Sequence, residues 1–239
     1  SVSGTSNLGA NVTTTGNQTY NDDVIISADV TLAGGSQLLF GGTVDSSDTT
    51  ETSDARTLTT TFTETEFDEE VGGSYALGAM DINGALDLDA AITGAASIDV
   101  SGTSNLGANV TTSGTQTYTG AVTLSAATVT LTTSDSDITF NGTIDSDEES
   151  ARALTINLDG NSNGTTADVI FGNATADTLG ATNPLGAISI TGDLDLNAAI
   201  TSAASLSVSG TSNLGANVTT SGTQTYTGDV TLSATTITL

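Results

Sequence analysis

Apolar residues return along the chain in short alternating groups. Toward the C-terminal end they fall at Ile188 and Ile190, Leu194 and Leu196, Ile200, Leu206 and Val208, Leu214, Val218, Tyr226, Val230 and Leu232, then Ile237 and Leu239. A spacing of two puts both members of a pair on one side of an extended strand, whereas a helix would need returns at three and four. Thr, Val and Ile fill these stretches, and Gly, Asn, Asp and Ser separate them. The groups start roughly every six to eight residues, leaving strands of about three to five, too short for an ordinary sandwich. They suit a solenoid in which three short faces close one coil of roughly 18 to 24 residues. The expectation is an all-β parallel β-helix of about 11–12 three-faced coils, stacked at about 4.8 Å into a rod some 55 Å long.

A longer period overlies the short one. The twenty-one residues from Val100 to Gly120, VSGTSNLGANVTTSGTQTYTG, return unchanged from Val208 to Gly228, and a slightly altered copy starts at Val2. The equivalent Gly4, Gly102 and Gly210 are spaced by 98 and 108 residues. Flanking matches are GALDLDAAITGAASIDV (84–100) with GDLDLNAAITSAASLSV (192–208), FGGTVDS (40–46) with FNGTIDS (140–146), and ARTLT (55–59) with ARALT (151–155). The chain divides into repeat 1 over 1–98, repeat 2 over 99–206 and the start of repeat 3 over 207–239, all one continuous solenoid. Repeat 2 carries an insertion near 159–170, around DGNSNGTTAD, that leaves its flanks intact and so reads as a surface loop. The uniform segment is expected to form about a coil and a half whose side chains stack on near-copies of themselves.

Composition narrows the chemistry. The 239 residues carry a formal charge of −26, with 28 acids against two bases, Arg56 and Arg152. Phosphate neutralisation by clustered Lys and Arg is excluded, so no nucleic-acid partner is expected, nor attachment to an anionic membrane surface. No run of about 18 apolar residues exists to cross a bilayer as a helix. Histidine and cysteine are absent, which removes imidazole bases, thiol nucleophiles, zinc and haem sites and disulfides. With 36% hydrophobic residues, 13% charged and one proline, the chain has the apolar content to fold and is not expected to be disordered.

The ordered run L-G-A-x-V-T-T-S-G-x-Q-T-Y-x-G-x-V-T-L (Leu106 to Leu124), the matched Phe40 to Ser46 and Phe140 to Ser146, and the two Ala-Arg-x-Leu-Thr runs resemble the repeats of filamentous-haemagglutinin-type adhesins. These belong to the β-strand-repeat exoproteins of bacteria. The resemblance covers most of the chain. It implies a right-handed parallel β-helix in an extracellular adhesin or fibre, on a secreted, cell-surface or matrix protein. The chain lacks the family's secretion domain and cell-binding tripeptide, and it is more acidic.

Several residue groups are candidates for chemistry. Asp159, Asn161 and Asn163 before Gly164 match the opening D-x-[DN]-x-[DN]-G of a calcium loop. Ile170 occupies the position where a bidentate Glu belongs, so Asp168 or a neighbouring coil would have to complete the ligand set. An Asx-rich turn explains the same letters. Acid runs precede both arginines: Asp45, Asp48, Glu51 and Asp54 before Arg56, and Asp145, Asp147, Glu148 and Glu149 before Arg152. Another cluster is Glu64, Glu66, Asp68, Glu69 and Glu70. Such clusters suit either Ca2+ on inter-coil loops or a solvated surface that keeps a rod soluble, and the arginines suit structural ion pairs. Asn-x-Thr acceptors for glycans are Asn11, Asn17, Asn141, Asn163 and Asn173, together with Asn109 and Asn217 in the uniform segment. The last two also fit inward ladders of stacked amides. Asp87 with Asp89, and Asp193 with Asp195, share one side of a strand and look like an acidic stripe, so no catalytic residue is assigned and the chain is not expected to be an enzyme.

The first expectation for function is a structural or adhesive segment that joins copies of itself, end to end or laterally, and contacts a host-cell or matrix surface. The chain opens in mid-repeat, as a piece of a longer protein would. No cofactor is expected, with Ca2+ the one ion the residues suit. Two alternatives stand: a module binding calcium or carbohydrate, and a tandem of immunoglobulin-like sandwiches, whose modules are also about a hundred residues.

Overall fold

The computed structural model describes residues 1–47, 55–147, 150–160, 164, 166–174 and 176–239. All strand-to-strand ladders in the described residues are parallel, and they build a solenoid of about 11 turns. At the usual strand spacing the stack is about 50 Å tall. The sandwich alternative is thereby overturned, since its strands would pair antiparallel within each hundred residues.

Three ladders run the length of the stack, one per face. Face A carries Tyr20, Phe40, Phe67, Leu88, Leu106, Leu124 and Ser146 in successive register. Face C carries Val100, Tyr118, Phe140, Phe171, Leu196, Leu214 and Leu232. Face B carries Val110, Leu131, Ile156, Ile190, Val208 and Tyr226. Alternation sets their direction: in Ile188 to Ile190 the flanking isoleucines are buried and Ser189 is exposed. The buried side chains form one continuous core from Leu8 to Val218. Aromatic rings stack within it, Tyr20 on Phe40 at 5.5 Å and Phe40 on Phe67 at 5.1 Å. The same arrangement recurs with Tyr118, Phe140 and Phe171 at 5.2 and 5.4 Å. The two longest strands, Ile92–Val100 and Ala199–Val208, run to nine and ten residues, about twice the expected length. Each turns a corner through a register shift and serves faces B and C, or A and B.

The uniform segment differs from expectation in two respects. It closes little more than one turn, because Leu106 already pairs with Leu124, eighteen residues on. Its copies also do not touch one another. Gln18–Tyr20 lies on face A, Gln116–Tyr118 on face C and Gln224–Tyr226 on face B. From one copy to the next the chain passes through fourteen strand positions, counting the two corner-turning strands twice and the Val71 bridge once. Fourteen is four whole sets of three plus two, so each copy is displaced by four and two-thirds turns and lands on a new face.

Corners explain the glycines that recur between repeats. Gly102 donates to the Gly84 carbonyl at 2.9 Å and Gly120 to that of Gly102 at 3.1 Å. A methyl at Gly102 or Gly120 would collide with the carbonyl below. Gly72 and Gly180, equivalent in the two repeats, have φ of 72° and 69°, and a methyl on either would strike the Gly94 or Ser202 carbonyl oxygen. Only glycine combines that close approach with a left-handed backbone.

Candidate functional site

The asparagines of the uniform segment are a correction to the inward ladder. Asn109 and Asn217 are exposed at corners, where their Oδ1 atoms accept the Thr130 and Thr238 amides at 2.8 and 2.9 Å. Asn11 and Asn17 do the same for Thr31 and Gln37 at 2.8 and 3.1 Å. Each corner leaves an amide of the next turn in need of an acceptor, and an Asx side chain turned outward there supplies it. Aspartates use the same position: Asp23 accepts from Thr43, Asp29 from Thr57, Asp137 from Asp168 and Asp193 from Thr211. Asp45 accepts two amides, Ser74 and Tyr75, and its equivalent Asp145 accepts Thr182 and Asn183. Part of the acid content is therefore a clamp between turns.

The calcium-loop residues divide. Asn161 and Asn163 lie outside the described residues. Both Asp159 oxygens accept the Gly164 amide, five residues on, at 3.1 Å. Asp168 stands on face C, in register with Asp193, and burial together with Asp137, Asp193 and Asp195 raises its carboxyl above the ordinary range. Among the glycan acceptors, Asn173 is exposed and Asn141 half-buried.

The acidic cluster on face A is the densest carboxylate group. One oxygen each from Glu66, Asp68 and Asp89 lies within 4.8 Å of the others, and these form the one such group among the described residues. Burial pushes the Glu66 carboxyl up, with Asp68 and Asp87 adding repulsion, and Asp89 is raised by burial and then by Asp87 and Asp68. Gln37 donates to Glu66 at 2.6 Å from the turn below. Asp87 accepts from Asn105 at 2.8 Å, and the equivalent Asp195 from Asn213 at 3.0 Å. The paired stripe residues thus face outward as expected. Their chemistry is hydrogen bonding between turns.

Each arginine is tied through its backbone amide to the strand that precedes its acid run. Arg152 grips Asp147 with two bonds, Nε to Oδ1 at 2.8 Å and Nη2 to Oδ2 at 2.6 Å. The Arg56 and Arg152 amides donate to Ser46 and Ser146 Oγ at 3.1 and 2.8 Å. Asp48, Glu51, Asp54, Glu148 and Glu149 lie outside the described residues. A shallow open groove is floored by Ala55, Ala76, Gly94, Ala96 and Ser113, with Tyr75 at its edge. Among the described residues its lining has no carboxylate.

Sequence reasoning missed a buried polar unit. Gln116 Nε2 donates to the Val110 and Thr132 carbonyls at 3.2 and 2.9 Å and to Thr112 Oγ1 at 3.2 Å. Tyr118 donates to Gln116 Oε1 at 3.2 Å. The signal was present as Gln-Thr-Tyr in all three copies, because alternation turns Gln and Tyr inward together. Comparison with protein-family models, with curated proteins and with solved structures returns no match to this chain.

Proposed function

We propose that the chain is a structural, adhesive segment of a secreted fibrous protein of the adhesin type, at a cell surface or in an extracellular matrix. It acts there as a stiff spacer that associates with copies of itself. The observation that carries this reading is the single core running from Leu8 to Val218 through stacked parallel turns. A solenoid of this kind gains length with each turn while every turn contacts only its neighbours. No catalytic group enters the reading. Small-angle scattering and electron microscopy of the purified chain test it: an elongated particle about 50 Å long supports the spacer, and a compact sphere overturns it.

A second reading, a calcium-binding module, draws on the proximity of Glu66, Asp68 and Asp89. Oxygen-only ligands of this kind suit a hard cation. Under it, millimolar Ca2+ raises the melting temperature and EDTA reverses the rise; superimposable curves dismiss it.

A further inference from the structure

Six large apolar side chains are exposed among the described residues, and four of them, Val2, Val230, Leu232 and Leu239, belong to the first and last turns. The other two, Ile25 and Tyr75, are 38% and 40% exposed and line one groove of about 340 Å³. Ile25 points outward from Val24–Ile26 at the N-terminal end of face B, in register with Asp45 on the next turn. Ser74 and Tyr75 follow on the turn beyond, and their amides both donate to Asp45 Oδ1, at 2.8 and 3.0 Å. Asp23 also lines the groove, and its Oδ1 accepts the Thr43 amide and hydroxyl at 3.1 and 3.0 Å. Each carboxylate is thus fixed through one oxygen, and its Oδ2 has no partner among the described residues.

The fold does not call for either apolar side chain. The equivalent strand of repeat 2, Val122–Leu124, carries Thr123 in place of Ile25 and follows Ala121 in place of Asp23. Asn183 stands for Tyr75: the Thr182 and Asn183 amides donate to Asp145 as those of Ser74 and Tyr75 do to Asp45. Asn183 Nδ2 then bonds back to the Ser146 carbonyl at 3.1 Å, whereas Tyr75 leaves its ring toward solvent. Repeat 1 therefore gathers an apolar pair and an added carboxylate in one place where repeat 2 folds without them. Apolar surface left in water this way is unfavourable until something covers it.

We propose that this groove receives an arginine side chain of a basic partner protein. The inference rests on the reading of the chain as an adhesive segment and names the chemistry of what it holds. Arginine joins an apolar stem to a planar charged head. The stem covers Ile25, the guanidinium stacks on the Tyr75 ring, and its N–H groups donate to Oδ2 of Asp23 and Asp45 as charge-assisted bonds. Among the described residues no cationic side chain lines the groove, so these carboxylates are not neutralised from within. A bare metal ion would leave Ile25 and Tyr75 uncovered, and a neutral sugar would leave the carboxylates unneutralised. A second copy is a poor source of the cation, since the chain has two basic residues against 28 acids. The net charge of −26 also draws a basic partner toward the rod.

Saturation-transfer NMR with the peptide acetyl-Gly-Arg-Gly-amide in about 150 mM NaCl, where the Debye length is about 8 Å, tests the proposal. The unmodified chain binds the peptide with a dissociation constant of about 1 mM and transfers magnetisation to the arginine methylenes. The citrulline peptide, which keeps the shape and loses the charge, binds at least about threefold more weakly. Ile25→Thr with Tyr75→Asn, which installs the residues of repeat 2 and leaves the net charge at −26, weakens arginine binding at least about threefold as well. Asp99→Asn on face C removes a charge elsewhere and leaves binding unchanged, and circular dichroism melts confirm that all three proteins fold. Absence of transfer to the arginine peptide overturns the proposal, as does equal binding of the citrulline peptide. A double variant that binds like the parent, or an Asp99→Asn variant that is equally impaired, also overturns it, by showing a diffuse attraction to the acidic surface. Scattering on the same samples separates the two readings: a rod that does not bind removes the groove alone, and a compact particle removes the rod.

Discussion

Asn109 owes its place to one hydrogen bond, from the Thr130 amide in the turn above. Asn109→Ala leaves that amide to water, and unfolding in denaturant is expected to register a loss of about 0.5–1 kcal/mol. Gln116 stands at the other extreme. It is fully buried and joins two carbonyls, a threonine hydroxyl and the Tyr118 hydroxyl. Gln116→Leu strands those groups in the core and is expected to cost about 2–4 kcal/mol. The equivalent Gln224 is half-buried and donates to Val218 and Thr220, so Gln224→Leu costs clearly less; equal losses would show that burial is not the cause. The sequence told inward from outward residues by alternation alone. Alternation is blind at corners, which is why the corner clamps of Asn109 and Asn217 were misplaced, and it is blind to polarity, which is why Gln116 went unremarked.

Along a ladder, each strand meets an in-register neighbour on the next turn, and that rule gives the carboxylates their character. Glu66, Asp89 and Asp168 are each raised, by burial first and by neighbouring carboxylates second. A folded-state pKa above the unfolded value means that the folded chain holds these protons more tightly. The stabilisation is fully present below the ordinary carboxylate range, and it is lost as pH rises through the raised values. Melting temperature is therefore expected to fall, from this contribution, as pH climbs from below about 4 toward neutrality. Glu66→Gln flattens the dependence, and a slope unchanged by that substitution counts against the ladder as its source. The strands and their alternation were legible because each is a short local pattern. The neighbour of each carboxylate was not, since it depends on the number of residues spent in each corner. Eighteen separate Leu86 from Ser104, while thirty-one separate Ile138 from Val169.

The whole molecule is set by the relation between two periods. Fourteen strand positions in the long repeat against three in a turn send identical segments to three different faces, so the faces must be interchangeable as environments. The repeat was plain in the letters; its advance of two-thirds of a turn beyond whole turns was not, because the Val71 bridge and the two corner-turning strands cannot be counted from spacing. Interchangeable faces and nearest-neighbour stacking make a sharp prediction about deletions. Removing Gly102 to Thr119 excises eighteen residues, one complete turn, and brings Gly120 onto Gly84 in the place Gly102 held. Val122–Leu124 then lies on Ala85–Leu88, with aliphatic residues again over aliphatic ones. The shortened chain is expected to keep its β circular dichroism and a single cooperative melt, lowered by no more than about 5 °C, with the rod shorter by about 4.8 Å. Removing Gly102 to Val110 takes out nine residues, half a turn, and throws the following strands onto corners, where inward side chains face solvent. That variant is expected to lose cooperative melting. Equal tolerance of both deletions would mean that the turns are not held in register by the stacked core.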